Sequence, residues 1–373
     1  MPVTALIDLF TDLCAIPSPT GDERAVADRV RAELQDVGLQ PFEDDTGPRI
    51  GSNAGNLHCR LPGADGEGTP IFLCAHLDTV PPSGSIDPVV EDGIVRNACG
   101  TILGADDKAA VAVMIEAARR LLVEGRPHAG VELLFTTKEE VGLHGAFAFD
   151  VDRLSARTGF VYDMAAPIGD VILGAPSSRQ VELRFRGRSA HSGIAPEEGR
   201  SAIAAAARAI ADLRLGRIDE DSTANVGTIR GGTAPNIVPD LCVVEAEARS
   251  HDERALSDLV QEMLESAAFA ASLAGCTLES EVRESYRAYR FRPDDEAIRI
   301  AVAGLARAGY EARLGVTGGA ADANAFNAGG LACVNLANGM AAIHTPDEHI
   351  AVADLEGMVD VTLGLVEAAR DAA

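Results

Sequence analysis

Ile71-Phe72-Leu73-Cys74-Ala75-His76-Leu77-Asp78 opens on a short apolar run and closes on an imidazole and a carboxylate. Bounded by turn residues and too short for a helix, the run reads as a buried strand. Working outward, similar runs at residues 131–136 and 159–162 alternate with helical patterns, among them one over 108–122. Upstream, Leu6, Leu9, Phe10 and Leu13 stand at helical spacing, and Thr20-Gly21-Asp22-Glu23 reads as a capping box before a second amphipathic helix. Strands alternating with helices in this way predict an α/β domain with a mostly parallel sheet.

The pattern changes near Ala175. From 180 to 186, Val181, Leu183 and Phe185 alternate with Glu182, Arg184 and Arg186, the mark of a half-buried strand. Strand, helix (199–213), strand (225–229), strand (241–249), helix (252–273) and strand (277–282) follow in the β-α-β-β-α-β order of a ferredoxin-like α+β unit. Beyond residue 285 the α/β pattern resumes, with a helix after Pro293, a strand near Leu314, a helix that Asp322 can cap, a strand over 331–336 and a terminal helix. The expected organisation is a discontinuous domain, residues 1–175 and 286–373, with residues 176–285 inserted into it.

Composition removes several function classes. The 373 residues carry a formal charge of −25, which repels phosphate backbones and anionic lipid, so neither nucleic acid nor a membrane surface is an expected partner. Seven scattered cysteines without a CxxC pair argue against a disulfide framework or a thiolate zinc site and favour a reducing, cytoplasmic setting. The first residues interrupt their apolar stretch with Asp8 and Asp12, unlike a signal peptide, and no apolar run reaches the length of a membrane span.

Ligands of open α/β sheets lie beyond the carboxyl ends of the strands. There the sequence places His76 and Asp78 after the first run, Glu139 and Glu140 after the second and Asp163 after the third. Asp106-Asp107 precedes a helix, and His344 follows the last strand. Each alone also fits a polar strand end, a helix cap or a solvated loop. Their accumulation at one sheet edge points instead to imidazole and carboxylate ligands for zinc, with manganese or cobalt as alternatives, in a site able to hold two ions. Gly-x-Gly-x-x-Gly is missing after the first strand, so a dinucleotide-binding dehydrogenase is disfavoured.

His76-Leu77-Asp78-Thr79-Val80, Gly104-Ala105-Asp106-Asp107-Lys108, Thr137-Lys138-Glu139-Glu140-Val141-Gly142, Ser189-Ala190-His191-Ser192-Gly193 and Gly232-Thr233-Ala234-Pro235-Asn236 together resemble the M20 metallopeptidases, nearest to the peptidase T-like branch. The resemblance implies a catalytic domain carrying a lid and dimerisation domain. It implies two divalent metal ions, most often zinc, one held by His76, Asp106 and Asp163 and the other by Glu140, Asp106 and His344, with Asp106 bridging. Asp78 would orient His76, and Glu139 would be the general base acting on a water between the ions. A cis peptide after Asp106 is implied too. His191 and Asn236 would contact the substrate, and a homodimer through the lid would follow. Arg249, at the end of a predicted strand, fits either a clamp for a substrate carboxylate or a surface ion pair. His349 is the rival to His344, while His58, His128, His144 and His251 are expected at the surface or in loops. One departure stands out: relatives carry Ser or Thr where this chain has Ala321.

The activity implied is hydrolysis of short peptides, di- or tripeptides, at the N-terminal residue. Deacylation of an N-acyl amino acid uses the same metals and is the runner-up. A binding protein that has lost turnover is a third reading, disfavoured because every position named above keeps a chemically suitable residue.

Overall fold

A computed structural model describes residues 4–63 and 67–372. The chain divides into two compact units, one of Met1–Leu173, Arg290–Val316 and Ala320–Ala373, the other of Gly174–Tyr289 and Thr317–Gly319.

The first unit is built on a mixed sheet whose centre is parallel. Its strands run in the order Phe42–Glu43, Leu57–Pro62, Gly130–Thr136, Ile71–His76, Thr158–Met164, Ala332–Ala337, Asp170–Ala175 and Tyr289–Arg290, with Arg313–Val316 also paired to Asp170–Ala175. The four from Gly130–Thr136 to Ala332–Ala337 are mutually parallel, and Leu57–Pro62 and Asp170–Ala175 flank them antiparallel. Every residue of Ile71–His76 is buried, as a central strand covered on both faces requires. Gly159, on the neighbouring strand, lets the Phe72 ring lie against the backbone: a Cβ there would fall 2.1 Å from Phe72 Cζ. The helix Ala105–Glu124 is buried on nearly every side and packs against Thr4–Ala15 and Val352–Asp371, which explains its weak amphipathic pattern. No helix among the described residues is long and apolar enough to cross a membrane.

The second unit is a five-stranded antiparallel sheet with two helices. Its order, Gly216–Arg217, Ser222–Gly231, Leu241–Ser250, Ser177–Arg186, Thr277–Tyr286, is that of a ferredoxin-like unit extended by a short edge strand. Val181, Leu183, Phe185, Val244 and Ala248 form a core with Leu256, Leu259 and Met263 of the helix Glu253–Leu273. Full burial of such side chains contributes about 1.5–3 kcal/mol each. Ser201 and Asp252 cap the two helices through the N–H groups of Ala204 (3.2 Å) and Ala255 (2.7 Å).

Two local expectations fail. Thr20-Gly21-Asp22-Glu23 is not a capping box: the Thr20 hydroxyl donates to Asp78 Oδ2 at 2.8 Å, and Glu23 accepts from Gly21 N (2.7 Å) and Ser52 Oγ (2.5 Å). Asp322 does not cap its helix either, since Ala321 is the N-cap residue and the Asp322 carboxylate accepts from the Thr136 hydroxyl. In both places a buried tertiary partner outcompetes the local one.

Candidate metal centre

The strand Ile71–His76 delivers His76 at its last position, 2% exposed. The imidazole Nδ1 donates to the backbone carbonyl of Asp78 at 2.8 Å, which leaves Nε2 facing Asp106 Oδ1 at 3.2 Å. The other oxygen of Asp106, Oδ2, lies 3.2 Å from His344 Nε2, and that nitrogen is also 3.1 Å from Glu140 Oε1. Asp106 therefore stands between two imidazoles, one from a strand end and one from a loop residue held at φ 63°.

Asp106 reaches this position because the chain there is not yet helical. Gly104 takes the left-handed region at φ 75°, which a glycine adopts without steric cost, Asp106 and Asp107 depart from helical angles, and the peptide bond between them is cis. Asp163, next to last in Thr158–Met164, has its backbone clamped by Asn335, which accepts from Asp163 N at 3.0 Å and donates to Asp163 O at 2.8 Å.

Asp78 does something other than the sequence suggested. Its Oδ1 is 3.7 Å from His76 Nδ1, too long for a hydrogen bond, and instead accepts from Glu139 N at 2.8 Å. Its Oδ2 accepts from Thr20 Oγ1 and, at 3.3 Å, from Glu140 N. The strand stops at His76, so the alternation that would have put Asp78 on the same face as His76 no longer applies. It is the Asp78 backbone that orients the imidazole, while its carboxylate fixes the Glu139-Glu140 turn.

The electrostatics are those of a site with surplus negative charge. Burial, then Asp163, pushes the Glu139 carboxyl well above its ordinary range, and burial, then Asp106, does the same to Asp163. Burial opposes ionisation of Asp106 too, but hydrogen bonds from His344 and His76 hold its carboxyl well below the usual range. The bonds to Asp106 and Glu140 push His344 up to about 10. Ligand atoms of His76, Asp106 and Glu140 lie within 4.8 Å of one another, as do those of His76, Glu139 and Asp163. Oxygen and imidazole donors without thiolate, crowded to the point of mutual repulsion, fit divalent cations such as zinc, manganese or cobalt.

The model of peptidase family M20/M25/M40 matches residues 72–368. The chain belongs to that family. It is a hydrolase of the family's peptidase T-like branch. The uncharacterized protein YqjE of Bacillus subtilis is 37% identical over 98% of both chains. The crystal structure of aminopeptidase PepT from Bacillus cereus is 37% identical and covers 99% of each chain with a TM-score of 0.88. A tripeptidase from Staphylococcus aureus is 32% identical, covers 100% of this chain and 99% of its own, and has a TM-score of 0.93. Further away, succinyl-diaminopimelate desuccinylase of Stenotrophomonas maltophilia is 26% identical over 98% of this chain and 99% of its own.

Within this family member, His76, Asp106, Glu139, Glu140, Asp163 and His344 form one cluster. His76 is common to both three-residue groups, and Glu139 lies in the same group as Asp163. His349 lies outside the cluster: it pairs with Arg96 between strands, and its Nδ1 meets Asp347 O at 2.8 Å. His58, expected at the surface or in a loop, is instead buried in the strand Leu57–Pro62, where it meets Glu132 Oε2 at 2.8 Å, while His128 lies in a loop, as expected, though buried.

The remaining named residues belong to the second unit. His191 is exposed, and its Nδ1 accepts from Gly193 N at 3.2 Å. Asn236, also exposed, accepts from Ser192 N through its backbone carbonyl at 3.0 Å. The Arg249 guanidinium donates to Gly318 O (3.3 Å) and Glu247 Oε2 (3.1 Å) and lies 6.0 Å from the Tyr286 ring centre. Sequence reading missed Thr20, Asn335, Glu348 and the buried ammonium of Lys108, which donates to Ile16 O at 2.6 Å. Only the position of Lys108 beside the Asp106-Asp107 motif offered a signal.

Proposed function

We propose that this chain is a two-metal hydrolase that releases the N-terminal residue of short peptides, di- or tripeptides. The observation that carries the reading is Asp106, whose two carboxylate oxygens face two different imidazoles in a buried cluster of carboxylates. Support comes from full-length likeness to proteins described as an aminopeptidase and a tripeptidase.

His76, Asp106 and Asp163 would hold one cation, and Glu140, Asp106 and His344 the other, zinc being the first choice and cobalt or manganese the alternatives. When bound, the cations supply Lewis acidity, lowering the pKa of water at the site and polarising the scissile carbonyl. Glu139 accepts the proton of the attacking water and returns it to the leaving amine. Asp78 fixes the turn that presents Glu139. In the second unit, Arg249 binds the substrate carboxylate, and His191 and Asn236 donate to substrate oxygens. That unit also mediates a homodimer, and the enzyme works in the cytoplasm.

Likeness to a desuccinylase along nearly the whole chain keeps deacylation of N-acyl amino acids as the second reading. The test is amino acid release from a panel of di- and tripeptides and N-acylated amino acids, in added zinc, cobalt or manganese and in EDTA. Metal-dependent cleavage confined to peptides with a free amine is expected. Turnover of N-acylated compounds alone would replace this reading with the deacylase.

A further inference from the structure

The loop leading into Asp106 has a backbone problem. Leu103, Gly104 and Asp106 are buried, and their N–H groups precede or lie outside regular helix, so no helical carbonyl accepts them. All three end on one side chain. Glu348, 2% exposed, accepts from Leu103 N (2.8 Å) and Gly104 N (2.9 Å) through Oε2 and from Asp106 N (3.0 Å) through Oε1. The carbonyl side of the same loop is gathered by Asn97, whose Nδ2 donates to Thr101 O at 3.2 Å and Ile102 O at 2.9 Å.

Glu348 stands four residues after His344. The link between them is a tight turn: Thr345 Oγ1 donates to Ala342 O (2.7 Å), Asp347 N to Thr345 Oγ1 (3.2 Å) and Glu348 N to Thr345 O (3.2 Å). The next residues, His349–Ala351, pair with Ile94–Asn97, the strand that ends in Asn97. One rigid segment thus carries both His344 and the carboxylate that grips the Asp106 backbone.

We propose that Glu348 is a positioning residue that sets the distance between Asp106 and His344, and through it the affinity of the site for divalent cations. Sequence distance hides the connection, since Glu348 and Asp106 are 242 positions apart. The proposal rests on the metal-binding reading given above, but not on the identity of the substrate. Partners that orient metal ligands in this way typically change affinity about 10- to 100-fold when altered.

The test compares metal-free wild type, Glu348→Gln and Glu348→Asp. Gln keeps the volume but replaces one acceptor oxygen by an NH2 donor, so at least one of the three N–H groups loses its acceptor. Amide exchange over residues 103–106 of the metal-free Gln variant should accelerate about tenfold or more while the helix Val352–Asp371 keeps its protection. Zinc affinity by chelator competition should fall about 10- to 100-fold, and the visible spectrum of the cobalt-loaded protein should change. Asp, with both acceptors on a shorter stem, should fall between, and it decides the matter alone on the same criteria should the Gln variant not unfold cooperatively. Faster exchange with unchanged zinc affinity and cobalt spectrum would reduce Glu348 to a brace for the loop and overturn the proposal. Unchanged exchange would overturn it too. A wild type that binds zinc yet cleaves no peptide would sink the peptidase reading and leave this inference intact, whereas one that binds no zinc would sink both.

Discussion

Asp78 Oδ1 accepts a hydrogen bond from the backbone N–H of Glu139 at 2.8 Å, tying the end of one strand to the turn that follows its neighbour. The same carboxylate accepts from Glu140 N and from Thr20 Oγ1, so three chain segments meet on it. Backbone bonds reinforce the Thr20 arm, with Thr79 N donating to Ser18 O (2.9 Å) and Thr20 N to Thr79 O (3.2 Å). Removing only the hydroxyl should loosen the carboxylate without unfolding the loop. We expect Thr20→Val to lower kcat about tenfold with KM nearly unchanged and metal content retained, and Thr20→Ser to restore most of the rate. A Val variant as fast as wild type would mean that the Thr20 arm does not tune the Glu139 turn.

Glu139 occupies an environment that resists a negative charge, through burial first and the neighbouring Asp163 next. Substitution by the isosteric, neutral Gln removes that conflict, so the metal-free variant should melt no lower than wild type. The proton acceptor, however, is gone. Glu139→Gln should keep both cations by metal analysis and lose about 10²- to 10⁴-fold in kcat. Turnover near wild type would remove Glu139 as the base.

The two histidines at the end of the chain separate by geometry. His344 Nε2 touches Asp106 and Glu140, whereas His349 is occupied by its own strand and by Asp347. We expect His344→Ala to lose one of two bound cations and His349→Ala to keep both, as read by metal content after dialysis. The reverse pattern would exchange their roles.

What could be read from the sequence divides along physical lines. The buried run 71–76 and the alternation at 180–186 carry their own periods, so the α/β sheet and the β-α-β-β-α-β unit were legible. Ligand-type side chains at strand ends were legible as well, because His76, Glu140 and Asp163 need only a strand to bring them to one edge. Side chains that act on distant backbone were not: Glu348 gripping Leu103, Asn335 clamping Asp163 and Thr20 reaching Asp78 show no periodicity and no pairing in sequence. Thr20 and Glu23 were misread for the same reason. They match a local motif, yet their partners are Asp78 and Ser52.

Glu132 offers a pH-dependent test of the scaffold away from the metal cluster. It sits inside the strand Gly130–Thr136, 3% exposed, and accepts from His58 Nε2 (2.8 Å), Arg60 Nε (3.0 Å), Ser155 N (2.8 Å) and Ala156 N (3.0 Å). Burial alone would raise its pKa, but the bonds from His58, Ser155 and Ala156 outweigh it and bring the carboxyl down from 4.5 to about 2. A carboxylate whose pKa is lower in the folded than in the unfolded chain stabilises the fold fully above the unfolded value. That contribution is lost as the pH falls from about 4.5 through about 2. At about 1.4 kcal/mol per pH unit this shift corresponds to roughly 3–4 kcal/mol at neutral pH. Glu132→Gln should therefore lower the urea midpoint of the first unit clearly at pH 7, and the gap from wild type should narrow as the pH drops below about 4.5. A gap that stays constant down to pH 3 would show that the bonds to Glu132 stabilise the strand without regard to its charge.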